Sequence, residues 1–230
     1  AGEIARSIGV TYDSAASGDV SVTGLGGASA LDINTVETLE IVGDSSNDDA
    51  VSVTTTATAD SVTVVPAANG GQVFLGGTTS MPGVAGGATG PDITISGVTT
   101  TAGISIDGGA AADTLVYDGS PTVTPSGPGA GTLSSAGLAD VVYSSFETVD
   151  ATGTLSFVIG ATGNANDGTA DTFNVAINAG LLEVDVNGSA VLQQDVSTID
   201  QLVIDGSNDD DTLTVDYSSG NPVPAGGLIF

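Results

Sequence analysis

The stretch LVIDGSNDDDTLTV, residues 202–215, is the clearest guide to how this chain folds. On both sides of a central acidic run, apolar residues alternate with small or polar ones, and this period of two is typical of a half-buried β-strand. Gly206 can adopt the positive φ that a tight turn needs, and the Asn and Asp residues that follow can bond to their own backbone. The stretch therefore predicts a strand, a tight acidic turn and a second strand.

Degenerate copies of this stretch recur along the chain. They read LEIVGDSSNDDAVSV at residues 39–53, ISIDGGAAADTLVY at 104–117 and, more loosely, IGATGNANDGTADTFNV at 159–175. The first glycines of the turns are unevenly spaced, at Gly43, Gly108, Gly160 and Gly206. The pattern is therefore a repeat, but not one with the fixed period of a strict solenoid.

The rest of the chain also reads as short strands. Segments such as Val62–Val64 and Ile93–Ile95 alternate in the same way, and no stretch keeps a helical period over three turns. We therefore expect an all-β fold, namely a right-handed parallel β-solenoid, with tandem β-sandwich domains as the alternative. Gly- and Pro-rich segments at 76–90 and at Pro121–Gly131 are predicted to be loops. They suggest two β-rich repeat regions, 1–120 and 132–230, or else one continuous solenoid.

The charge of the chain excludes several classes of function. Its 230 residues include 28 acidic residues and a single basic one, Arg6, with no His and no Cys, so the formal net charge is -27. Such a chain has no imidazole base, no lysine amine and no thiolate nucleophile. One Arg cannot build a basic surface for nucleic acid or anionic lipid, and the apolar runs fall short of the roughly 18 residues of a membrane-spanning helix. We expect no nucleic-acid partner and no membrane insertion.

The acidic turns are candidate calcium sites. Calcium takes 6–8 oxygen ligands from carboxylates, amide side chains and backbone carbonyls, and clustered carboxylates repel one another unless cations neutralise them. Several calcium ions are therefore expected as cofactors; the alternative is a set of solvated turns without ions. The candidate ligands are Asp44, Asn47, Asp48, Asp49, Asp107, Asp113, Asn164, Asp167, Asp171, Asp205, Asn208, Asp209, Asp210 and Asp211.

These turns resemble the Gly-Gly-x-Gly-x-Asp-x-apolar repeats of calcium-binding β-rolls of the RTX or haemolysin type. Residues 108–115 match that pattern except that Ala111 stands in place of a Gly, and residues 206–213 keep the first Gly, the Asp and the apolar residue. The spread-out copies also resemble the repetitive regions of giant bacterial surface adhesins. The resemblance implies ions held between turns and a location outside the cell.

Together these features predict an extracellular or cell-surface structural or adhesive module of a prokaryote, stabilised by divalent cations. We expect it to assemble end to end into a surface layer or filament, with other copies of itself or with adjoining repeats of a longer chain. The apolar segment Leu228, Ile229 and Phe230 is the predicted contact, because an unprotected apolar strand end invites pairing.

A polysaccharide-acting β-helix enzyme is the alternative function. Clustered Asp residues could supply the pair of carboxylates that glycoside hydrolysis uses. A catalytic pair is singular, however, whereas these Asp residues recur from turn to turn, and the chain has no Trp to form a sugar platform. We therefore expect no enzymatic activity.

Overall fold

In the computed structural model the chain is built almost entirely of β-strands. The residues that the structure describes are 7–13, 19–23, 31–33, 39–42, 50–54, 61–75, 93–96, 103–160, 169–206 and 210–230. They include one turn of 3-10 helix, Val196–Thr198. The strands are β1 Ser7–Asp13, β2 Asp19–Thr23, β3 Leu31–Ile33, β4 Leu39–Val42, β5 Ala50–Thr54, β6 Ser61–Ala67, β7 Gly70–Leu75, β8 Ile93–Ser96, β9 Ile104–Asp107, β10 Thr114–Tyr117, β11 Thr122–Gly127, β12 Ala130–Ser134, β13 Val141–Ser144, β14 Thr148–Ala151, β15 Ser156–Ile159, β16 Thr172–Asn178, β17 Leu181–Val186, β18 Ser189–Gln194, β19 Gln201–Ile204, β20 Thr212–Asp216 and β21 Leu228–Ile229.

The first twenty strands form four units of five strands with a common plan. The units are β1–β5, β6–β10, β11–β15 and β16–β20. In each unit the first three strands form an antiparallel meander. The fourth strand lies in a different sheet from the other four, and the fifth returns to pair in parallel with the first. The chain is therefore a structural repeat, although its sequence copies are degenerate.

Consecutive units interlock through parallel strand pairs. The fifth strand of each unit pairs with the fourth strand of the next, as β5 with β9, β10 with β14 and β15 with β19. The fourth strand also pairs with the third strand of the next unit, as β4 with β8 and β9 with β13. Each unit therefore completes the sheets of its neighbour.

A single hydrophobic core lies between the sheets. The sheets run β21-β19-β15-β11-β12-β13-β9-β5-β1-β2-β3, β14-β10-β6-β7-β8-β4 and β18-β17-β16-β20. Buried residues from all three belong to one packed cluster. A Cβ added to Gly71 of β7 would lie 3.0 Å from Ile104 Cδ1 of β9, so the six-stranded and eleven-stranded sheets face each other. The alternation of apolar and polar residues in the sequence supplies the buried face of each strand.

The prediction of an all-β fold is confirmed for the described residues, but the pairing does not support a uniform parallel solenoid. Parallel pairs join the units, whereas antiparallel pairs build each meander. The turns provide the physical reason in the fourth unit. Ala179 and Gly180, and then Asn187 and Gly188, all have positive φ. Two such residues form the tight hairpin turn that sends the next strand back beside the previous one.

The segment Pro121–Gly131, predicted to be a loop, instead contains β11 and the start of β12. Val123 is fully buried, so the segment contributes to the core. Pro125 is tolerated because the parallel pairing of β11 with β15 covers only Thr122 and Val123. Beyond that point, the missing N–H of proline removes no hydrogen bond from this ladder. The predicted loop at 76–90 lies outside the described residues.

Candidate functional site

The predicted calcium ligands are only partly within the described residues. Those outside are Asp44, Asn47, Asp48, Asp49, Asn164, Asp167, Asn208 and Asp209. Those inside are Asp107, Asp113, Asp171, Asp205, Asp210 and Asp211. Within the described part of the chain, no three acidic side chains converge in a way that could hold a metal ion. The calcium sites therefore stay a prediction from the sequence.

The acidic residues that precede strands bind backbone N–H groups of the neighbouring strand. Asp211 Oδ1 accepts a hydrogen bond of 2.7 Å from the N–H of Asp171. Glu147 Oε2 accepts one of 2.7 Å from the N–H of Asp113, and Asp200 Oδ2 accepts one of 2.7 Å from Leu155. We call this contact a carboxylate clamp.

The three clamps all lie at the start of a parallel ladder, two of them between units and one within the fourth unit. Each joins the residues just before the first pair of a parallel ladder: Thr114 opposite Thr148, Thr172 opposite Thr212 and Ser156 opposite Gln201. At this point a parallel pair has an N–H that the partner strand's backbone does not reach, and the carboxylate accepts it. Hydrogen bonds to a charged group contribute about 1.5–3 kcal/mol each. Acidic residues at strand starts therefore have a structural role that needs no ion.

Two of the predicted metal ligands, Asp113 and Asp171, are buried, with 1% and 3% of their surface exposed. Asp171 Oδ1 accepts a hydrogen bond from the side-chain amide of Asn187, in the turn between β17 and β18. The oxygen of the same amide, Asn187 Oδ1, accepts the N–H of Thr172 at 3.0 Å. Asp171 therefore ties the start of β16 to the turn between β17 and β18 of the same meander.

The remaining described candidates lie at the surface or make local bonds. Asp107 Oδ1 accepts hydrogen bonds from Gly109 N at 3.3 Å and Ser144 Oγ at 3.2 Å. Asp205 and Asp210 are exposed, and Asp211 is half-buried. Asp210 and Asp211 thus differ in role, since Asp211 forms a clamp and Asp210 faces solvent.

The turn glycines are explained by close packing. A Cβ at Gly206 would lie 2.5 Å from Asp211 Oδ2, and one at Gly108 would lie 2.3 Å from the backbone oxygen of Ser145 and 3.1 Å from Asp113 Cβ. Contacts as short as 2.3 and 2.5 Å do not occur between real Cβ atoms and their neighbours. In both turns, the Gly that precedes the Asp by five residues leaves room for the chain to fold back on itself.

Two exposed carboxylates are favoured in their ionised form by the turns that follow them. The backbone N–H of Ser197, and then its hydroxyl, lower the pKa of Asp195 below its usual value. Ser218 lowers the pKa of Asp216 in the same way. Because a depressed pKa means that the folded state favours the ionised form, this contribution to stability is present near neutral pH. It is lost as the pH falls through the folded-state pKa.

The C-terminal segment pairs within its own chain. Leu228 and Ile229 form β21, which lies parallel to β19 with Leu228 opposite Leu202. The ring of Phe230 packs edge-on against Phe173 with centroids 6.1 Å apart. The described contacts of this segment are thus intramolecular, and they do not support the predicted contact with another copy.

A cleft of about 170 Å³ lies between the third and fourth units. Phe146, Leu181 and Gln193 are among its lining residues, and Glu147 is its one lining carboxylate. Since Glu147 Oε2 already forms a clamp with Asp113, the cleft does not present the pair of carboxylates that a glycoside hydrolase uses.

Comparisons of this chain with protein-family models, curated proteins and solved structures find no match. In the described part of the chain, no helix is long and apolar enough to cross a membrane.

Proposed function

We propose that this chain is a structural or adhesive module of an extracellular or cell-surface assembly, built to be extended end to end. The observation that supports this most directly is the interlocking of four equivalent units. Each unit leaves strand edges that the next unit fills, so the plan has no internal limit to its length. The degenerate acidic repeat, which resembles those of bacterial surface adhesins, points the same way.

Negative-stain electron microscopy of the purified chain tests this function. We expect filaments or sheets in millimolar calcium and shorter or single particles in EDTA, because copies with a net charge of -27 repel one another until cations neutralise them. Single particles under every condition, including high salt, would contradict the assembly part of the proposal.

Calcium is expected to stabilise the folded chain through the acidic turns at 43–49 and 205–211. An ion that binds only the folded form raises its free energy of unfolding by mass action, by about 2.7 kcal/mol at a hundredfold excess over its Kd. We expect the melting temperature of the wild type to be higher in millimolar calcium than in EDTA. The double variant Asp209→Asn/Asp210→Asn should lose part of this rise.

Asp211→Ala is not a suitable variant for this purpose, because Asp211 forms a clamp and its loss destabilises the chain with or without calcium. The matched control is the double variant Asp195→Asn/Asp216→Asn, which also removes two charges, from exposed carboxylates outside the two turns. An equal response to calcium in the Asp209→Asn/Asp210→Asn variant and the control would show that the ion acts only by general screening. The enzyme alternative is a hypothesis from the sequence alone, and no contact described above favours it.

A further inference from the structure

The last strand of the fourth unit, β20, has an open edge. It pairs with β16 on one side, and within the described residues no strand pairs with its other side. Its apolar residues Leu213 and Val215 stand beside the buried Phe173 and Val175 but are themselves only half-buried. The equivalent residues of the first three units are at most 3% exposed: Val51, Val53, Leu115, Tyr117, Phe157 and Ile159.

The plan of the fold specifies which strand belongs on this edge. In all three earlier units, the open side of the fifth strand is filled by the fourth strand of the following unit, in parallel. The register places buried residues opposite one another, as Val51 with Ile104 and Phe157 with Leu202. A fifth strand without such a neighbour leaves both its outward N–H groups and its apolar face incompletely covered.

The first unit offers the matching strand. Its fourth strand, β4, pairs with β8 on one side and is the end strand of its sheet among the described residues. Ile41 of β4 is buried, so this strand presents an apolar face to the core as β9 and β19 do. The meander alternates between the two layers from unit to unit, and the chain has an even number of units. By this alternation, β4 of a second copy belongs to the same layer as β20.

We propose that the free edge of β20 binds β4 of a second copy of this chain, with Leu213 opposite Leu39 and Val215 opposite Ile41. This inference rests on the proposed end-to-end function and names the surface that carries it. The new contact would repeat the joint between units that the chain already makes three times internally.

The position of β21 limits this continuation to the pairing of β4 with β20. Leu202 of β19 donates its N–H to the oxygen of Gly227 at 3.1 Å. In the equivalent position of the second unit, Ile104 of β9 donates to the oxygen of Asp140 at 2.8 Å, just before the third strand of the following unit. The chain's own segment thus occupies the place of the next unit's third strand, so a second copy would be held through its β4 on β20 and not through its β3 on β19.

Disulfide trapping between copies tests the proposed register, and the absence of Cys from the chain removes any background. The register places Thr214 of one copy opposite Glu40 of the other. The Thr214→Cys and Glu40→Cys variants are mixed, with one of the two isotopically labelled so that mass identifies a dimer that contains one of each. We expect this mixed disulfide dimer to form. The control pairs Thr214→Cys with Ser105→Cys, because Ser105 lies on β9 between β5 and β13. The first pair should exceed the control about tenfold or more, since cysteines bridge only when their Cα atoms lie about 4.4–6.8 Å apart. Salt of about 1 M, which shortens the Debye length to about 3 Å, allows the acidic copies to meet.

A backbone variant provides the second measurement. Thr212 donates its N–H to Asp171 of the neighbouring chain segment, so by alternation the N–H of Val215 points to the open edge. Val215→Pro should abolish the trapping in a Thr214→Cys background, whereas Val215→Ala, which keeps the N–H, should retain it; thermal melting confirms that both variants are folded.

Trapping that is equal to the control, or unaffected by Val215→Pro, would overturn the proposed edge. If filaments still form in that case, only the edge assignment fails. If no association occurs at all, the end-to-end function fails with it.

Discussion

Replacing Gln194 with Ala is expected to lower the free energy of unfolding by about 3 kcal/mol, since each buried backbone group left without a partner costs about 1–3 kcal/mol. Gln194 is 2% exposed and lies at the end of β18. Its Oε1 accepts the N–H of Val149 at 3.3 Å, and its Nε2 donates to the oxygen of Val149 at 2.7 Å. By the plan of the fold, β14 and β18 should form a ladder here, and among the described strands they form none. The side-chain amide therefore joins the third unit to the fourth where the backbone does not.

Denaturant unfolding of three variants checks this role. Gln193→Ala is the matched control, because Gln193 is the preceding residue and its amide donates a hydrogen bond to Glu183 of the same sheet. Gln194→Glu keeps an acceptor for the Val149 N–H but loses the donor when it is ionised. Burial raises the pKa of such a carboxyl, so this variant should be least destabilised at acid pH, where the protonated side chain donates again, and more destabilised as the pH rises through that pKa. Equal stability of Gln194→Ala and Gln193→Ala would show that the amide does not join the units.

Gly108→Ala is expected to destabilise the second unit strongly. The added Cβ would lie 2.3 Å from the backbone oxygen of Ser145, and a backbone atom cannot move aside as a flexible side chain can. The N–H of Gly108 also donates to the oxygen of Ser144 at 2.9 Å, so displacement of the turn loses that bond. Overpacking of this kind costs about 1–3 kcal/mol or more, and for a chain of this length each kcal/mol lowers the melting temperature by about 2–4 °C.

Gly127→Ala is the control for this second variant. A Cβ at Gly127 would meet no atom within 4 Å, so the change should be neutral or slightly stabilising through its effect on the unfolded chain. A melting temperature for Gly108→Ala equal to that of Gly127→Ala would mean that the turn has room to spare, and that the glycine of the acidic repeat serves something other than close packing.

The sequence predicted most of the strands and the turns that connect them, because these are local properties. Alternation of apolar and polar residues marked β9, β10, β19 and β20 correctly, and the acidic turns between them were expected from their Gly and Asp residues. The same reasoning missed β11, because the Gly- and Pro-rich composition of Pro121–Gly131 is typical of a loop. The same reasoning did not use Asn187-Gly188, which is a two-residue hairpin signal. It indicates an antiparallel pair at this point.

The role of the acidic residues at the site could not be predicted from the sequence in the same way. Clustered Asp residues suggested ion ligands, which stays a prediction for the turns outside the described residues. Three of the chain's acidic residues instead hold backbone N–H groups that lie 34, 40 and 45 residues away in the chain. No local pattern specifies a partner at such a distance.

The sequence by itself therefore determined the strand content, the positions of most turns and the large negative charge, since each depends on residue type and near neighbours alone. Only the tertiary structure decided which strands lie side by side, that the fourth strand of each unit lies in a different sheet from the rest of the unit, and that Gln194 and two of the clamps complete the joints between units. A strand has two edges and many possible neighbours with similar apolar faces. The choice among them depends on which edges the turns and the shared core bring together, and that choice in turn leaves the edge of β20 open.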